Sequence, residues 1–146
     1  IGAGGASRAI LYFLNKKGIE NIDIFATSFR RRQSLLKNFK FKNFTNKTTL
    51  LKKKYDLIIN ASNAGMSRGN KINRNILRLV KKTKGVIDIV YNPIETNLLK
   101  EAKKHNIKSI GGLIMLVEQA KPSFEIWSKK NIEIDDKIYQ SLINNW

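Results

Sequence analysis

The opening residues I-G-A-G-G-A-S-R-A-I (Ile1–Ile10) place a glycine-rich turn ahead of an amphipathic segment. Gly2 suits a tight turn, and apolar residues then recur at helical spacing, which predicts a helix over residues 5–17 with Gly18 at its C-terminal cap. We interpret Ile1 as the last residue of a strand whose other residues lie outside this chain. The opening therefore has the order strand, turn, helix.

From this turn onward, apolar periodicity alternates between the strand pattern and the helix pattern. The predicted strands are 22–26, a weak candidate at 39–44, then 56–60, 86–91 and 107–110. The predicted helices after the first are 29–38, a short one ending near Leu51, and then 73–82, 95–105, 113–127 and 135–144. Strands that are nearly continuous in Val, Ile and Leu and alternate with helices indicate a parallel sheet covered on both faces. The expected fold is one α/β domain over residues 1–146, a doubly wound Rossmann-like sheet with its first strand truncated.

Composition excludes several classes of protein. The 146 residues are 42% hydrophobic and 27% charged, with 9 Gly and 2 Pro, which indicates a globular chain rather than a disordered or collagen-like one. No apolar run approaches the roughly 20 residues of a membrane-spanning helix. Without cysteine and with a single histidine, the chain offers no thiolate or histidine-cluster metal site, and we expect a reducing, cytoplasmic location.

The formal net charge of +17 raises the alternative of a nucleic-acid-binding module. However, the chain holds 21 Lys, 20 Ile and 16 Asn, which AT-rich coding favours together, and most lysine pairs fall where predicted helices end. Lysine at a helix C-terminus complements the helix dipole on a solvated face. We therefore attribute the charge to compositional bias and expect no nucleic-acid partner.

The glycine-rich turn lies where a dinucleotide-binding fingerprint belongs. Without a side chain at Gly4, the backbone can approach a pyrophosphate, and the following helix N-terminus offers unpaired N–H groups to the phosphates. Ser7 is small enough for close packing of that helix on the sheet. An ordinary glycine-rich turn is the alternative.

The residues after the second predicted strand bear on which nucleotide binds. NAD enzymes place a carboxylate there to hold the ribose 2′-hydroxyl, but here Ala26-Thr27-Ser28-Phe29 is followed by Arg30-Arg31-Arg32. The arginine fork suits a 2′-phosphate, so this segment favours NADP. The alternative is a solvated basic helix start, which the helix dipole disfavours.

Four segments in this order resemble the shikimate dehydrogenase family. They are GAGGASRA (2–9), INASNAGM (Ile59–Met66), DIVYNPIETNLLKEAK (Asp88–Lys103) and GGLIMLVEQAKPSFEIW (Gly111–Trp127). The resemblance implies NADPH-dependent reduction of 3-dehydroshikimate to shikimate, in the biosynthesis of chorismate and aromatic amino acids. It also implies a soluble enzyme of small-molecule substrates, with no membrane partner and with a possible homodimeric assembly.

The resemblance also implies roles for individual residues. The cofactor-binding residues would be Gly2, Ala3, Gly4, Gly5 and Ala6 at the pyrophosphate; Ala26, Thr27, Ser28, Arg30 and Arg31 at the 2′-phosphate; Asn60, Ala61 and Ser62 along the cleft; and Ile89, Gly112 and Met115 at the nicotinamide. Tyr91 and Gln119 would reach the substrate. Simple packing of Tyr91 and solvent exposure of Gln119 are the alternatives for these two residues.

The chain departs from the family pattern at two places. The family has Asn-Arg-Thr where Ala26-Thr27-Ser28 stands, which leaves a NAD-using quinate/shikimate dehydrogenase as an alternative. Gly111 stands where the family often has an acidic or amide residue. The family's catalytic Lys–Asp pair lies in an N-terminal substrate domain, so no residue here is assigned a catalytic role, and residues 113–146 would pack back toward that domain. His105, near a helix end, is not expected to be catalytic, and these residues alone are expected to be inactive.

Overall fold

The computed structural model describes residues 1–40 and 53–144. These residues form six helices and three strands. In chain order they are α1 (Gly5–Lys16), α2 (Phe29–Asn38), β1 (Leu57–Asn60), α3 (Arg74–Val80), β2 (Gly85–Asp88), α4 (Asn97–Lys104), β3 (Lys108–Ile110), α5 (Gly112–Ser128) and α6 (Asp136–Asn144). The predicted helices therefore form with end shifts of a few residues. Most of the weak strand at 39–44 and the short helix ending near Leu51 lie outside the described residues.

The three strands form a parallel sheet in the order β1-β2-β3. Asn60 at the end of β1 is paired in register with Asp88 at the end of β2, and Gly85 at the start of β2 is paired with Lys108. Parallel neighbours need crossover connections, which α3 and α4 provide. The carboxyl ends of β1 and β2 therefore meet at one edge of the sheet.

Ile1 extends this sheet on the outer side of β1. Its N donates to Ile59 O (2.6 Å) and its O accepts from Ala61 N (2.8 Å), which are the two bonds that a parallel neighbour of Asn60 makes. On the other side, Gly2 N donates to Phe25 O (2.8 Å). Ile1 thus lies between segment 22–26 and β1, the place expected of the last residue of a central strand.

Two predicted strands differ from the structure. Segment 22–26 forms no regular strand, and within the described residues the backbone bond from Gly2 N to Phe25 O links it to Ile1–Gly2. The strand predicted over 86–91 ends at Asp88, because Val90 N donates to Asp88 Oδ1 (3.1 Å) rather than to a neighbouring strand. The backbone is thereby turned out of the sheet before Tyr91.

Helices cover both faces of the sheet. Ile58 is buried in the main apolar cluster with residues of α3 and α4, among them Ile76, Val80 and Leu98. The next residue, Ile59, lines a cavity together with α1, since successive strand residues point to opposite faces. This arrangement is the doubly wound α/β architecture that the sequence predicts. None of the helices in the described part of the chain is long and apolar enough to cross a membrane.

Candidate functional site

A cavity of about 770 Å³ opens at the carboxyl ends of Ile1 and β1. In doubly wound sheets, ligands bind at this edge. The lining is formed by the glycine turn, by the residues after segment 22–26 and by the loop after β1: Gly2 to Ala6, Phe25 to Ser28, Arg31, Ala61 to Ala64, Asn70 to Asn73, Ile76 and Ile1. Three stretches that are distant in sequence therefore share one cavity.

The glycines of the first turn play different parts. Gly2 has φ +103°, and a Cβ there would lie 2.7 Å from Ala61 O, so only glycine fits. A Cβ on Gly4 or Gly5 would instead meet no atom within 4 Å and would project into open space. Gly4 caps α1 without a side-chain hydrogen bond, which leaves the first N–H groups of the helix available to a ligand. Ser7 is buried and donates from Oγ to Ala61 O (3.4 Å).

The three arginines at positions 30–32 have different surroundings. Ser28 caps α2 by accepting a hydrogen bond from Arg31 N at Oγ (3.3 Å). Arg31 lines the cavity, Arg30 is exposed and is not part of the lining, and the guanidinium of Arg32 lies 5.5 Å from the Phe29 ring centre. No Asp or Glu is among the described residues that line the cavity. The cavity wall is therefore cationic at Arg31.

Hydrogen bonds of the Asn60 side chain hold the loop after β1. Asn60 is fully buried, donates from Nδ2 to Ala64 O (2.9 Å), and accepts at Oδ1 from Ser62 Oγ (2.7 Å) and Ser62 N (3.2 Å). Ser62 Oγ in turn accepts from Ala64 N (3.2 Å). Asn60 thus shapes the cavity wall at Ala61 and Ser62 without lining the cavity itself.

Asp88 joins this loop to the next one. Its Oδ1 accepts from Asn60 Nδ2 (2.8 Å), and its Oδ2 accepts from Thr96 Oγ1 (2.7 Å), the side chain that caps α4. Burial raises the pKa of the Asp88 carboxyl, and the hydrogen bonds from Thr96, Val90 N–H and Asn60 act in the opposite direction. Asp88 was not among the predicted site residues, because its partners become visible only when β1 and β2 are in register.

The proposed nicotinamide residues lie at the end of β2. A Cβ on Gly112 would be 2.2 Å from Ile89 O, so α5 can begin against this backbone only with glycine at that position. Gly112 N donates to Val90 O (3.3 Å), and half-buried Met115 follows one turn later. Ile89, Gly112 and Met115 are thus gathered beside β2 and do not line the 770 Å³ cavity.

The two predicted substrate residues flank this region. Tyr91 is half-buried two residues after Ile89, and Gln119 is exposed on α5 at positions i+4 and i+7 from Met115 and Gly112, which places all three on one helix face. His105 lies at the C-terminal cap of α4, with Nε2 3.0 Å from Glu101 Oε1, away from all of these residues in sequence.

The geometry fits a dinucleotide. Side chains at positions 4 and 5 would fill the open space that Gly4 and Gly5 leave in the cavity. The N–H groups at the start of α1 border this space, and Arg31 adds a positive charge to the same cavity. Sequence reasoning missed the contribution of the loop over 70–73 to the lining. No local signal in the sequence showed that these residues return to the cavity.

No family model matches the chain. Among curated proteins, the chain is similar to shikimate dehydrogenase (NADP(+)) of Methanococcus maripaludis, with 38% identity over 98% of this chain and 54% of that protein. Among solved structures, it is similar to a shikimate dehydrogenase in complex with NADP+ (34% identity, TM-score 0.73, 99% of this chain and 52% of that one). It is also similar to shikimate 5-dehydrogenase of Listeria monocytogenes in complex with shikimate and NAD (26% identity, TM-score 0.75, 97% of this chain and 53% of that one).

The chain spans about half the length of the curated relatives that it matches. The relatives in sequence and the neighbours in structure are both shikimate dehydrogenases, and the Rossmann-like α/β fold predicted from the sequence is confirmed. Over nearly its whole length, the chain is homologous to shikimate dehydrogenases, of which it covers about half.

Proposed function

We propose that these residues are the cofactor-binding part of a shikimate dehydrogenase that reduces 3-dehydroshikimate to shikimate with NADPH, in the biosynthesis of chorismate and aromatic amino acids. The observation that carries the proposal is the cavity at the carboxyl edge of the sheet, with an open glycine cradle on one side and Arg31 on another. The similarity to a shikimate dehydrogenase in complex with NADP+ supports this reading.

The chain's own residues bind and orient the cofactor. The N–H groups at the start of α1 donate to the pyrophosphate, and Arg31 pairs with the 2′-phosphate, for which Ala26, Thr27 and Ser28 leave room. Ala61 and Ser62, held by Asn60, form the opposite wall. When bound, NADPH supplies the hydride that reduces the substrate ketone.

Ile89, Gly112 and Met115 orient the nicotinamide end beside the end of β2. Tyr91 and Gln119 lie next to this end and reach the substrate's hydroxyl and carboxylate side. We assign the proton donor for the developing alkoxide to residues outside this chain. The family's Lys–Asp pair has no counterpart in the four segments of this chain that resemble the family. The 146 residues alone are therefore expected to bind cofactor weakly and to oxidise no shikimate.

The last helices support a contact with a second part of the protein. Near the end of α5, Ile126 and Trp127 are 74% and 83% exposed, and Phe124 is exposed beside them. Large apolar side chains grouped in this way mark a contact surface. We assign that surface to the substrate-binding part of the same protein, toward which residues 113–146 pack. A homodimer and a cytoplasmic location remain predictions.

The direct test is turnover by the full-length protein. NADPH absorbance should fall when 3-dehydroshikimate is added, and NADP+ should be reduced in the presence of shikimate. Turnover with NADH at equal or higher efficiency would favour the NAD-using quinate/shikimate dehydrogenase instead. Salt-sensitive binding to duplex DNA without any nucleotide binding would favour the nucleic-acid alternative.

A further inference from the structure

We propose that Lys71 is a second cationic ligand for the 2′-phosphate, acting with Arg31 from the other side of the glycine turn. The inference rests on the proposed binding of NADP. Both side chains belong to residues that line the 770 Å³ cavity, Arg31 from the first turn of α2 and Lys71 from the loop before α3.

The backbone around Ile1 places the segments that lead to these two residues on opposite sides of the glycine turn. Segment 22–26 lies on one side of Ile1–Gly2, through the bond from Gly2 N to Phe25 O, and β1 lies on the other side, through the bond from Ala61 N to Ile1 O. Arg31 follows the first segment and Lys71 follows β1. A ligand seated over the glycine turn is therefore between them.

The cavity corresponds to the adenosine end of the proposed cofactor site. Its lining includes residues 26–28, where the adenosine ribose is read in such folds, but it does not include Ile89, Gly112 or Met115 at the proposed nicotinamide end. Lys71 is therefore placed to contact the adenosine half.

The backbone of Lys71 is anchored on both sides. Asn70 O accepts from Gly65 N (2.8 Å), Ile72 is 6% exposed in the main apolar cluster, and Asn73 caps α3 by accepting from Asn75 N (2.9 Å). The exposed side chain of Lys71 thus extends from a fixed point on the cavity rim. A fixed origin lowers the entropic cost of holding a flexible lysine on a ligand.

The charge of the cavity fits a phosphate better than a hydroxyl. Arg31 and Lys71 are the cations of the described lining, no carboxylate is among those residues, and neither cation forms an ion pair within the described ranges. A phosphate monoester carries nearly two negative charges and three acceptor oxygens. One arginine fork covers two of these oxygens, which leaves the third for Lys71.

The test measures binding of adenosine 2′,5′-bisphosphate and of NADH to the full-length protein by calorimetry. The bisphosphate carries the 2′-phosphate without a nicotinamide, whereas NADH lacks the 2′-phosphate. We expect Lys71→Ala to raise the Kd of the bisphosphate roughly tenfold, Lys71→Arg to retain most of the affinity, and the Kd of NADH to stay within about twofold in both variants. Lys100→Ala, which removes an exposed lysine of α4, is the matched control and should leave both constants unchanged.

The possible failures are distinguishable. If the parent protein prefers the bisphosphate and Lys71→Ala binds it equally well, the role of Lys71 is wrong while the proposed function stands. Equal losses for the bisphosphate and NADH would also contradict a 2′-phosphate contact. A parent protein that binds neither the bisphosphate nor NADPH would contradict the proposed function, and this inference with it.

Discussion

Asn60 and Asp88, paired in register at the ends of β1 and β2, are joined by a hydrogen bond of 2.8 Å from Asn60 Nδ2 to Asp88 Oδ1. Both side chains are fully buried. Through Asn60 the bond reaches Ser62 at the cavity, and through Asp88 it reaches Thr96 at the start of α4. One buried pair therefore fixes the two loops that flank the proposed cofactor, because each buried polar group must keep its partner.

The burial of Asp88 predicts a pH dependence of stability. Because the pKa of Asp88 is raised in the folded state, that state binds the proton more tightly than the unfolded chain does. The contribution of Asp88 to the free energy of unfolding should therefore be largest below the ordinary aspartate pKa of about 4, and it should fall as the pH rises through the raised value.

Asp88→Asn removes this titration. The difference in unfolding free energy between the parent and this variant, from denaturant titrations at a series of pH values, should change across that window. Asp136→Asn, which alters an exposed carboxylate of α6, is the matched control. A difference for Asp88→Asn that is constant with pH would contradict the raised pKa.

Gly2 and Gly4 should respond differently to alanine. Gly2→Ala forces a Cβ against Ala61 O at positive φ, so we expect a loss of about 2 kcal/mol or more in the free energy of unfolding. Gly4→Ala has open space at φ −94°, so the unfolding midpoint should be retained while NADPH and NADH both bind roughly tenfold more weakly. Calorimetric titration together with denaturation separates the two effects. Unchanged affinity in Gly4→Ala would show that the open cradle is not the pyrophosphate site.

Arg31 and Arg30 form a second matched pair. Since Arg31 lines the cavity and Arg30 does not, Arg31→Ala should weaken NADPH binding by about 1.5–3 kcal/mol and barely affect NADH. Arg30→Ala should have a much smaller effect on NADPH, although the resemblance places both residues at the 2′-phosphate. Equal losses for NADPH and NADH in Arg31→Ala would argue against a 2′-phosphate contact.

Gln119 and Tyr91 are predicted to act on the substrate rather than on the cofactor. In the full-length protein, Gln119→Ala and Tyr91→Phe should each lower kcat/KM for shikimate by about 1–3 kcal/mol of transition-state stabilisation, while the affinity for NADP+ stays near that of the parent. Steady-state kinetics with both substrates varied gives these values. If kcat and KM are unchanged in both variants, Tyr91 is a packing residue and Gln119 a solvated one.

Local sequence was sufficient for the order of the elements. The helix at 29–38 was predicted at its observed bounds because helical periodicity is a signal within a few residues, and in the structure Ser28 caps this helix. Gly18 likewise ends α1 at positive φ (+73°), as its position after the apolar stretch predicts. The glycine turn and the absence of a carboxylate after segment 22–26 indicated NADP as the ligand, since each of these signals also lies within a few residues.

The tertiary structure determined which residues that are distant in sequence contact one another. The pairing of Asn60 with Asp88 depends on the register of two strands 28 residues apart, and the place of Lys71 beside the glycine turn depends on where the loop after β1 returns. The end of β2 at Asp88 also depends on a side chain that captures its own backbone N–H. Such relations arise from hydrogen bonding and packing between distant segments, so no periodicity or capping signal in the sequence encodes them. The sequence alone determined which elements form and which chemistry the glycine turn suits, whereas the fold determined which of the three arginines reaches the cavity and which lysine joins it.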